Sequence, residues 1–330
     1  TQYAAWCRRL GRMSMSTGSN PFVGATRSTA ASGAAVYEGE RAVHEYLQFH
    51  FGRPEEILPY DCGPTQALDF TKRCADLCID AVMRTSRRRT DMVSPARADA
   101  VGGAGEDPDS NAGMPTTRPL LRVIDIGCAV GGIAFELTRV FDEVIGVDYS
   151  ASFVQAARRM QEDGRMPYQC LKQGSVVLHR EALLPKGVIP SRARFEQGDA
   201  CALDVETLGA FDVALASNLL CRLPSPRSFL ADLPALVKPG GVAVLISPYS
   251  WLAEYTPPAE WLGGFREGGG VDGSGEEGKA VDSFDMLRSL MEADGRFELE
   301  NRVPMPFLIR EHARKFQWGC SDGTVWRRRR

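Results

Sequence analysis

Apolar residues in this chain recur with two different periods, and the switch between them sets out the elements. Near the N-terminus Val43, Tyr46, Leu47 and His50 fall at i, i+3, i+4 and i+7, one face of a helix. After a turn at residues 52–54, a second helix is expected over residues 66–83, with Leu68, Cys74, Leu77, Cys78 and Val82 pointing inward. Residues 84–118 break the pattern. Arg87, Arg88 and Arg89 precede VGGAGEDPDSNAGMP (101–115), whose low apolar content and abundance of Gly and Pro read as a solvated insertion.

From residue 120 short apolar runs alternate with helical stretches. LLRVIDIG (120–127), EVIGVD (143–148), ARFEQGD (193–199), FDVALAS (211–217) and VAVLIS (242–247) read as strands. Helices are expected over residues 133–141, 151–162 and 226–237, and from Ser283 to a stop at Gly295. This rhythm implies a doubly wound, Rossmann-like α/β sheet of parallel strands joined by right-handed crossovers. Two tail strands, over 297–310 and 313–327, would add an antiparallel pair at one edge. The expected organisation is a disordered leader (1–35), an N-terminal helical cap (36–83), a flexible insertion (84–118) and a core (119–330) with a Gly-rich loop at 263–280.

Composition narrows the partners. The chain has 330 residues, 44% apolar and 25% charged, with 39 basic and 42 acidic side chains. A formal charge of −3 gives no reason to expect nucleic acid, although Arg87–Arg89 and the terminal Arg327–Arg330 run keep that reading as a rival. Nine cysteines without a CxxC pair, and four scattered histidines, favour free thiols in a reducing compartment over a metal site. No apolar run reaches the roughly 18–20 residues that cross a membrane. A cytoplasmic location is expected. The alternative is a mitochondrion or plastid, because the first 37 residues lack Asp and Glu and carry Arg8, Arg9, Arg12 and Arg27, as a transit peptide would.

The chemistry gathers where strands end. The first strand runs out into Asp125-Ile-Gly127-Cys128-Ala129-Val130-Gly131, a turn that lets a ligand approach the backbone. The second ends at Asp148, placed to accept hydrogen bonds from two ribose hydroxyls. A nicotinamide dinucleotide would use Asp148 too, but the frame Gly127-x-Ala129-x-x-Gly132 is a degraded G-x-G-x-x-G. Asp125 would also repel a diphosphate, whereas it would attract the ammonium group of a methionine moiety. Charge sign therefore favours S-adenosylmethionine, with S-adenosylhomocysteine as product. Gly198-Asp199-Ala200 offers a carboxylate to the adenine amino group, Ser217 and Asn218 face the sulfonium, and Lys238-Pro239-Gly240-Gly241 precedes the next strand. Tyr37, Cys128, Tyr149 and Ser150 complete the expected cofactor contacts.

Absences point to a small acceptor. SNLLCRLP (217–224) lacks the Asn/Asp-Pro-Pro-aromatic signature of nucleobase amine methylation. No paired-glutamate loop or acidic metal cluster is seen. The stretches YEGERAVHEYLQFHFG (37–52), DIGCAVGGIAFEL (125–137), FDEVIGVDYSASFVQAA (141–157), FEQGDACAL (195–203), ASNLLCRLP (216–224), LVKPGGVAVLISPYSWLAEYTP (236–257), PFLIREHARKFQ (306–317) and SDGTVWRR (321–328) together resemble the methyltransferase domain of ovothiol biosynthesis, within the class I S-adenosylmethionine-dependent superfamily. The resemblance implies methylation of a ring nitrogen of 5-thiohistidine (4-mercaptohistidine) to give ovothiol A. It also implies a 5-histidylcysteine sulfoxide synthase or lyase of the same pathway as partner. The chain departs from the fused form of that family in having no synthase or iron-binding region.

For that reaction His50 is the expected general base, the alternative being a buried histidine bonded to backbone. Tyr46 is taken with it as catalytic. Asn218, Arg222, Tyr249, Trp251 and Arg310 are the expected substrate contacts, with Arg222 preferred over Arg310 as the clamp on a carboxylate. Rival readings keep the cofactor and exchange the acceptor for a quinone, phenol or sterol, or keep the fold as a non-catalytic binding protein.

Overall fold

The computed structural model describes residues 37–92, 119–267 and 278–329. The leader expected over 1–35 and most of the insertion expected over 84–118 lie outside these. In chain order the strands are β1 (Arg122–Ile126), β2 (Glu143–Asp148), β3 (Arg165–Gln173), β4 (Val176–Leu183), β5 (Ala193–Gln197), β6 (Phe211–Ser217), β7 (Val237–Ser247), β8 (Phe265–Glu267), β9 (Lys279–Val281), β10 (Phe297–His312) and β11 (Lys315–Arg328). The helices are α1 (Glu40–Phe51), α2 (Pro54–Ile57), α3 (Phe70–Met92), α4 (Gly132–Leu137), α5 (Ala151–Asp163), α6 (Val205–Leu208), α7 (Pro226–Leu236) and α8 (Ser283–Glu292).

Seven strands form one sheet in the order β10-β11-β7-β6-β1-β2-β5. β5, β2, β1, β6 and β7 are mutually parallel, and β11 and β10 run antiparallel at one edge. The central strands are apolar at nearly every position because helices cover both faces. Val123, Val144, Leu215 and Val244 point to the side of α3, α4 and α5, where Cys74, Cys78, Phe153 and Met160 meet them. Ile124, Ile126, Leu245 and Trp326 point to the other side, against Phe229, Leu233 and Leu287 of α7 and α8. The architecture is the doubly wound α/β sheet that the alternating pattern calls for.

Three expectations need correction. The second helix starts at Phe70 rather than residue 66 and continues to Met92, so the first part of the expected insertion is helical. Leu68 stays outside it and packs with a satellite cluster around Ile57, Leu58 and Leu308. α3 packs on β6, β7 and α4, because Cys74, Cys78 and Ala81 bury one continuous stripe. The antiparallel hairpin β3–β4 went unforeseen. Burial alternates along it, with Tyr168, Cys170 and Ala182 turned inward, but the apolar Val176, Val177 and Leu183 lie on its exposed positions.

The terminal arginines are bonded into the sheet edge. Arg327 pairs with Glu300 and donates to the Gly240 carbonyl at 2.9 Å, Arg328 donates to the Val237 carbonyl, and Arg329 lies 3.4 Å from Glu298. Among the described residues no helix is long and apolar enough to cross a membrane.

Candidate active site

Strand order reverses between β1 and β6, the place where an open α/β sheet leaves a crevice at its carboxyl edge. A cavity of about 650 Å³ opens there, walled by the loops that follow β1, β2, β5, β6 and β7. The loop after β1 is fixed by the amides of Gly127 and Cys128, which both donate to the Val147 carbonyl, at 2.7 and 3.0 Å. Asp148 ties the loop down from the side: Oδ2 accepts from the Ala129 amide at 2.8 Å and Oδ1 from the Ser150 amide at 2.9 Å. Each oxygen keeps a further lone pair for a ligand hydroxyl. Next to it, Asp199 accepts from the Cys201 amide at 2.8 Å and also lines the cavity.

Two non-glycine residues here occupy the left-handed region, Ala129 at φ 47° and Asn218 at φ 54°. That conformation costs roughly 1–2 kcal/mol apiece. Both sit on the cavity wall, one after β1 and one after β6, where backbone strain commonly marks a ligand site. Asn218 is further held by Ser321, whose hydroxyl donates to its Oδ1 at 2.6 Å.

Asp125 lies one layer deeper. It is fully buried and does not line the cavity, so its attraction for a ligand ammonium would act from behind the wall. The two-residue alternation of β1 turns it toward α3, among Cys74 and Cys78. Among the described residues neither carboxylate oxygen has a hydrogen-bond partner at full bonding geometry. Burial, and then the nearby Asp148, push its pKa up to about 7, with the Ala134 amide pulling the other way. Burial likewise lifts Asp148 to about 6 against its two backbone donors. The two carboxylates raise one another's proton affinity, an electrostatic cost that a cation in the cavity would relieve. The cavity-facing Asp148 and Asp199 carboxylates and this field together fit S-adenosylmethionine.

Above the sheet edge the N-terminal segment closes one side. Tyr37 lines the cavity and packs against Tyr46, Phe153 and Tyr255, with ring centroids 5.8–6.4 Å apart. Arg222 also reaches the wall, where its guanidinium lies 4.6 Å over the Tyr255 ring and donates to the Ser250 carbonyl at 3.0 Å. Tyr46 faces the same space. Burial and the neighbouring Tyr37 hold its phenol far above the ordinary range, so it stays protonated and can serve as a donor but not as a base.

The cavity wall thus includes Tyr37, Tyr46, Gly127, Ala129, Asp148, Tyr149, Asp199, Ala200, Asn218 and Arg222 of the residues singled out by sequence. The others lie elsewhere. His50 points at α4, where its Nδ1 accepts the Gly132 amide at 3.0 Å, and burial drops its pKa to about 3. It is a neutral, spoken-for histidine, and Gly132 is required because a Cβ there would sit 2.6 Å from the ring nitrogen. Ser150 caps α5, its Oγ accepting from the Phe153 amide at 3.1 Å. Cys128 and Gly131 support the loop from behind. Tyr249 donates to Asp322 at 3.1 Å and Trp251 to Ser283 at 2.9 Å, both off the cavity wall. Arg310 is buried against the Glu56 carbonyl, because its position on β10 alternates with the cavity-facing Phe307 and Ile309.

Sequence reasoning missed the second half of the wall. Phe49 and Phe70 stack at 5.6 Å and 22°, and Phe307 of β10 meets Phe70 at 5.6 Å. Phe307 and Ile309 pair across the strands with Gly319 and Gln317, which share their face. Gly319 is needed, since a Cβ there would collide with the Phe307 ring. The alternation Met305, Phe307, Ile309 was the available signal, but which face it served depended on the pairing of β11.

The family described as a methyltransferase domain matches residues 72–303, well over half of the chain. The ubiquinone biosynthesis O-methyltransferase of Bradyrhizobium sp. (strain ORS 278) is 28% identical over 127 residues, 38% of this chain and 39% of that one. Its counterpart in Rhodopseudomonas palustris (strain BisB18) is 30% identical over the same share. The chain thus spans about two fifths of the length of the curated relatives it matches. Among solved structures, the magnesium protoporphyrin IX methyltransferase of Synechocystis PCC 6803 with bound S-adenosylmethionine aligns over 92% of this chain and 100% of its own, at 14% identity and a TM-score of 0.43. A Methanosarcina mazei S-adenosylmethionine-dependent methyltransferase aligns over 63% and 92%, at 19% identity and a TM-score of 0.41.

Proposed function

The chain belongs to the methyltransferase-domain family and is an S-adenosylmethionine-dependent enzyme, and from that premise we propose that it methylates a ring nitrogen of 5-thiohistidine. The supporting observation is the aromatic wall of Tyr46, Phe49, Phe70 and Phe307 beside Ser217 and Asn218, a surface on which a flat ring can pack. The resemblance of residues 37–52, 216–224 and 236–257 to the ovothiol methyltransferase domain supplies the identity of that ring.

When bound, S-adenosylmethionine supplies a methyl group on a positively charged sulfur. Asp148 holds ribose hydroxyls and Asp199 the adenine amino group, while Asp125 and Asp148 supply the negative field that a sulfonium compound prefers over a diphosphate. The rings of Phe49 and Phe70 hold the acceptor plane and exclude water. Tyr46 donates a hydrogen bond from its protonated phenol, and Arg222 offers a guanidinium to a carboxylate. No histidine among the described residues faces the cavity, so acceleration rests on alignment of acceptor and methyl group rather than on an imidazole base. A synthase or lyase of the same pathway would deliver the substrate.

The relatives named ubiquinone biosynthesis O-methyltransferases favour a second reading, a phenolic oxygen as acceptor. Incubation with labelled methyl donor and either 5-thiohistidine or catechol-type acceptors, with products resolved by mass spectrometry, separates the two. N-methylated thiohistidine is expected. Label appearing on phenolic oxygen alone would overturn the proposal.

A further inference from the structure

The acceptor half of the cavity carries a charge that the aromatic rings do not explain. Glu45 lines it from α1, one residue before Tyr46 and four before Phe49. The other carboxylates on the cavity wall, Asp148 and Asp199, belong to the tips of β2 and the loop after β5 and serve the cofactor side. Glu45, on α1, stands apart from these strand tips.

Its present partner is weak. Oε1 lies 3.0 Å from Nε of Arg41, one turn earlier on the same helix, and that arginine side chain is 81% exposed. An exposed i,i+4 pair is worth only a few tenths of a kcal/mol. The second carboxylate oxygen meets no donor among the described residues. Across the chamber the polar group on β11, the Gln317 amide, is already engaged by Glu311 at 3.0 Å. A ligand entering this half thus meets the π faces of Tyr46 and Phe49 and one under-used carboxylate. All three attract a cation.

We propose that Glu45 is a specificity-determining residue that receives the α-ammonium group of an amino-acid acceptor, so that the enzyme selects the free amino acid over the same ring lacking its amine. The assignment rests on the thiohistidine reading above and deepens it. Binding exchanges the solvent-screened Arg41 contact for a shielded one, with Arg41 swinging to water. Because Glu45 stands on α1 and not on the strand tips that carry Asp148 and Asp199, its effect falls on acceptor recognition and not on the rate of transfer.

The test compares the unsubstituted chain with Glu45→Gln, using 5-thiohistidine and its des-amino analogue, the thioimidazole propanoate. A charge-assisted hydrogen bond predicts a rise in KM for 5-thiohistidine of about 10- to 100-fold in the variant. The KM for the analogue, the KM for S-adenosylmethionine and kcat should stay within about twofold. Circular dichroism and melting temperature report that the variant is folded. Equal effects on both acceptors, or none on either, would overturn the role of Glu45 while leaving the acceptor reading in place. If the unsubstituted chain binds S-adenosylmethionine yet methylates neither imidazole, the acceptor reading falls and the inference falls with it.

Discussion

At the scale of single residues, Asp125 shows how burial and charge act together. Its folded pKa of about 7 stands above the ordinary 3.8, so the native state keeps a proton that the unfolded chain releases. Stability from this group is present in full below about pH 4 and is lost as pH rises through 7. Asp125→Asn removes that loss. In the ligand-free protein at pH 8 it should be more stable than the unsubstituted chain by on the order of 2–4 kcal/mol, while at pH 4 the two should converge. Melting curves at pH 4, 6 and 8 check this, and parallel curves for the two proteins would contradict it. The stabilised variant should bind S-adenosylmethionine less well, because a negative field is what the cation gains from the site. His50 is the opposite lesson. Its place on the inward face of α1 was readable from the helical period, but that period could not tell a catalytic cavity from the amide of Gly132 four elements further on.

At the scale of elements, the segment before α1 ties the cofactor side together. Glu38 accepts from the amides of Ala151 and Ser152 at 3.1 and 3.2 Å and from the Ser152 hydroxyl at 2.9 Å, and Ser150 donates to the Tyr37 carbonyl at 3.1 Å. A carboxylate at the start of α5 is favoured by the free N–H groups and the helix dipole. That anchorage places Tyr37 against the cavity beside Asp148. Glu38→Ala should therefore weaken S-adenosylmethionine binding about three- to tenfold and lower stability by about 1 kcal/mol, since a lost cap costs that much. Surface plasmon resonance or calorimetry reads the first and thermal unfolding the second. Unchanged affinity would mean that the strap is not part of the site. The strands and helices of the core were legible because each is long, periodic and covered on both faces. The hairpin β3–β4 was not, since its exposed Val176 and Val177 blur the alternation that identifies a strand.

Across the whole molecule, the cofactor half of the site was legible because a parallel sheet forces strand tips to one edge. Asp148, Asp199 and Asn218 follow from strand ends alone, without any knowledge of distant contacts. The acceptor half was not legible, because it is assembled from α1, the start of α3 and the β10–β11 hairpin, which are up to about 270 residues apart in sequence. Which face of β10 looks into the cavity depends on the register with β11, and that register places Arg310 behind and Phe307 in front. Long-range pairing of this kind leaves no local mark on composition. The charge pattern survives at this scale as the main discriminator between ligands: negative groups cluster at the sheet edge, where the diphosphate of a dinucleotide would need the reverse.

Calorimetric titration of the intact chain with S-adenosylmethionine, S-adenosylhomocysteine and NAD, repeated with Asp148→Asn, tests that claim most directly. One-site binding of the sulfonium compound is expected, with affinity rising from pH 5.5 to 8 as Asp148 and Asp125 ionise, a loss of about 10- to 100-fold in Asp148→Asn, and no heat with NAD. Binding of NAD at the same site, or S-adenosylmethionine affinity indifferent to both pH and Asp148, would contradict the account.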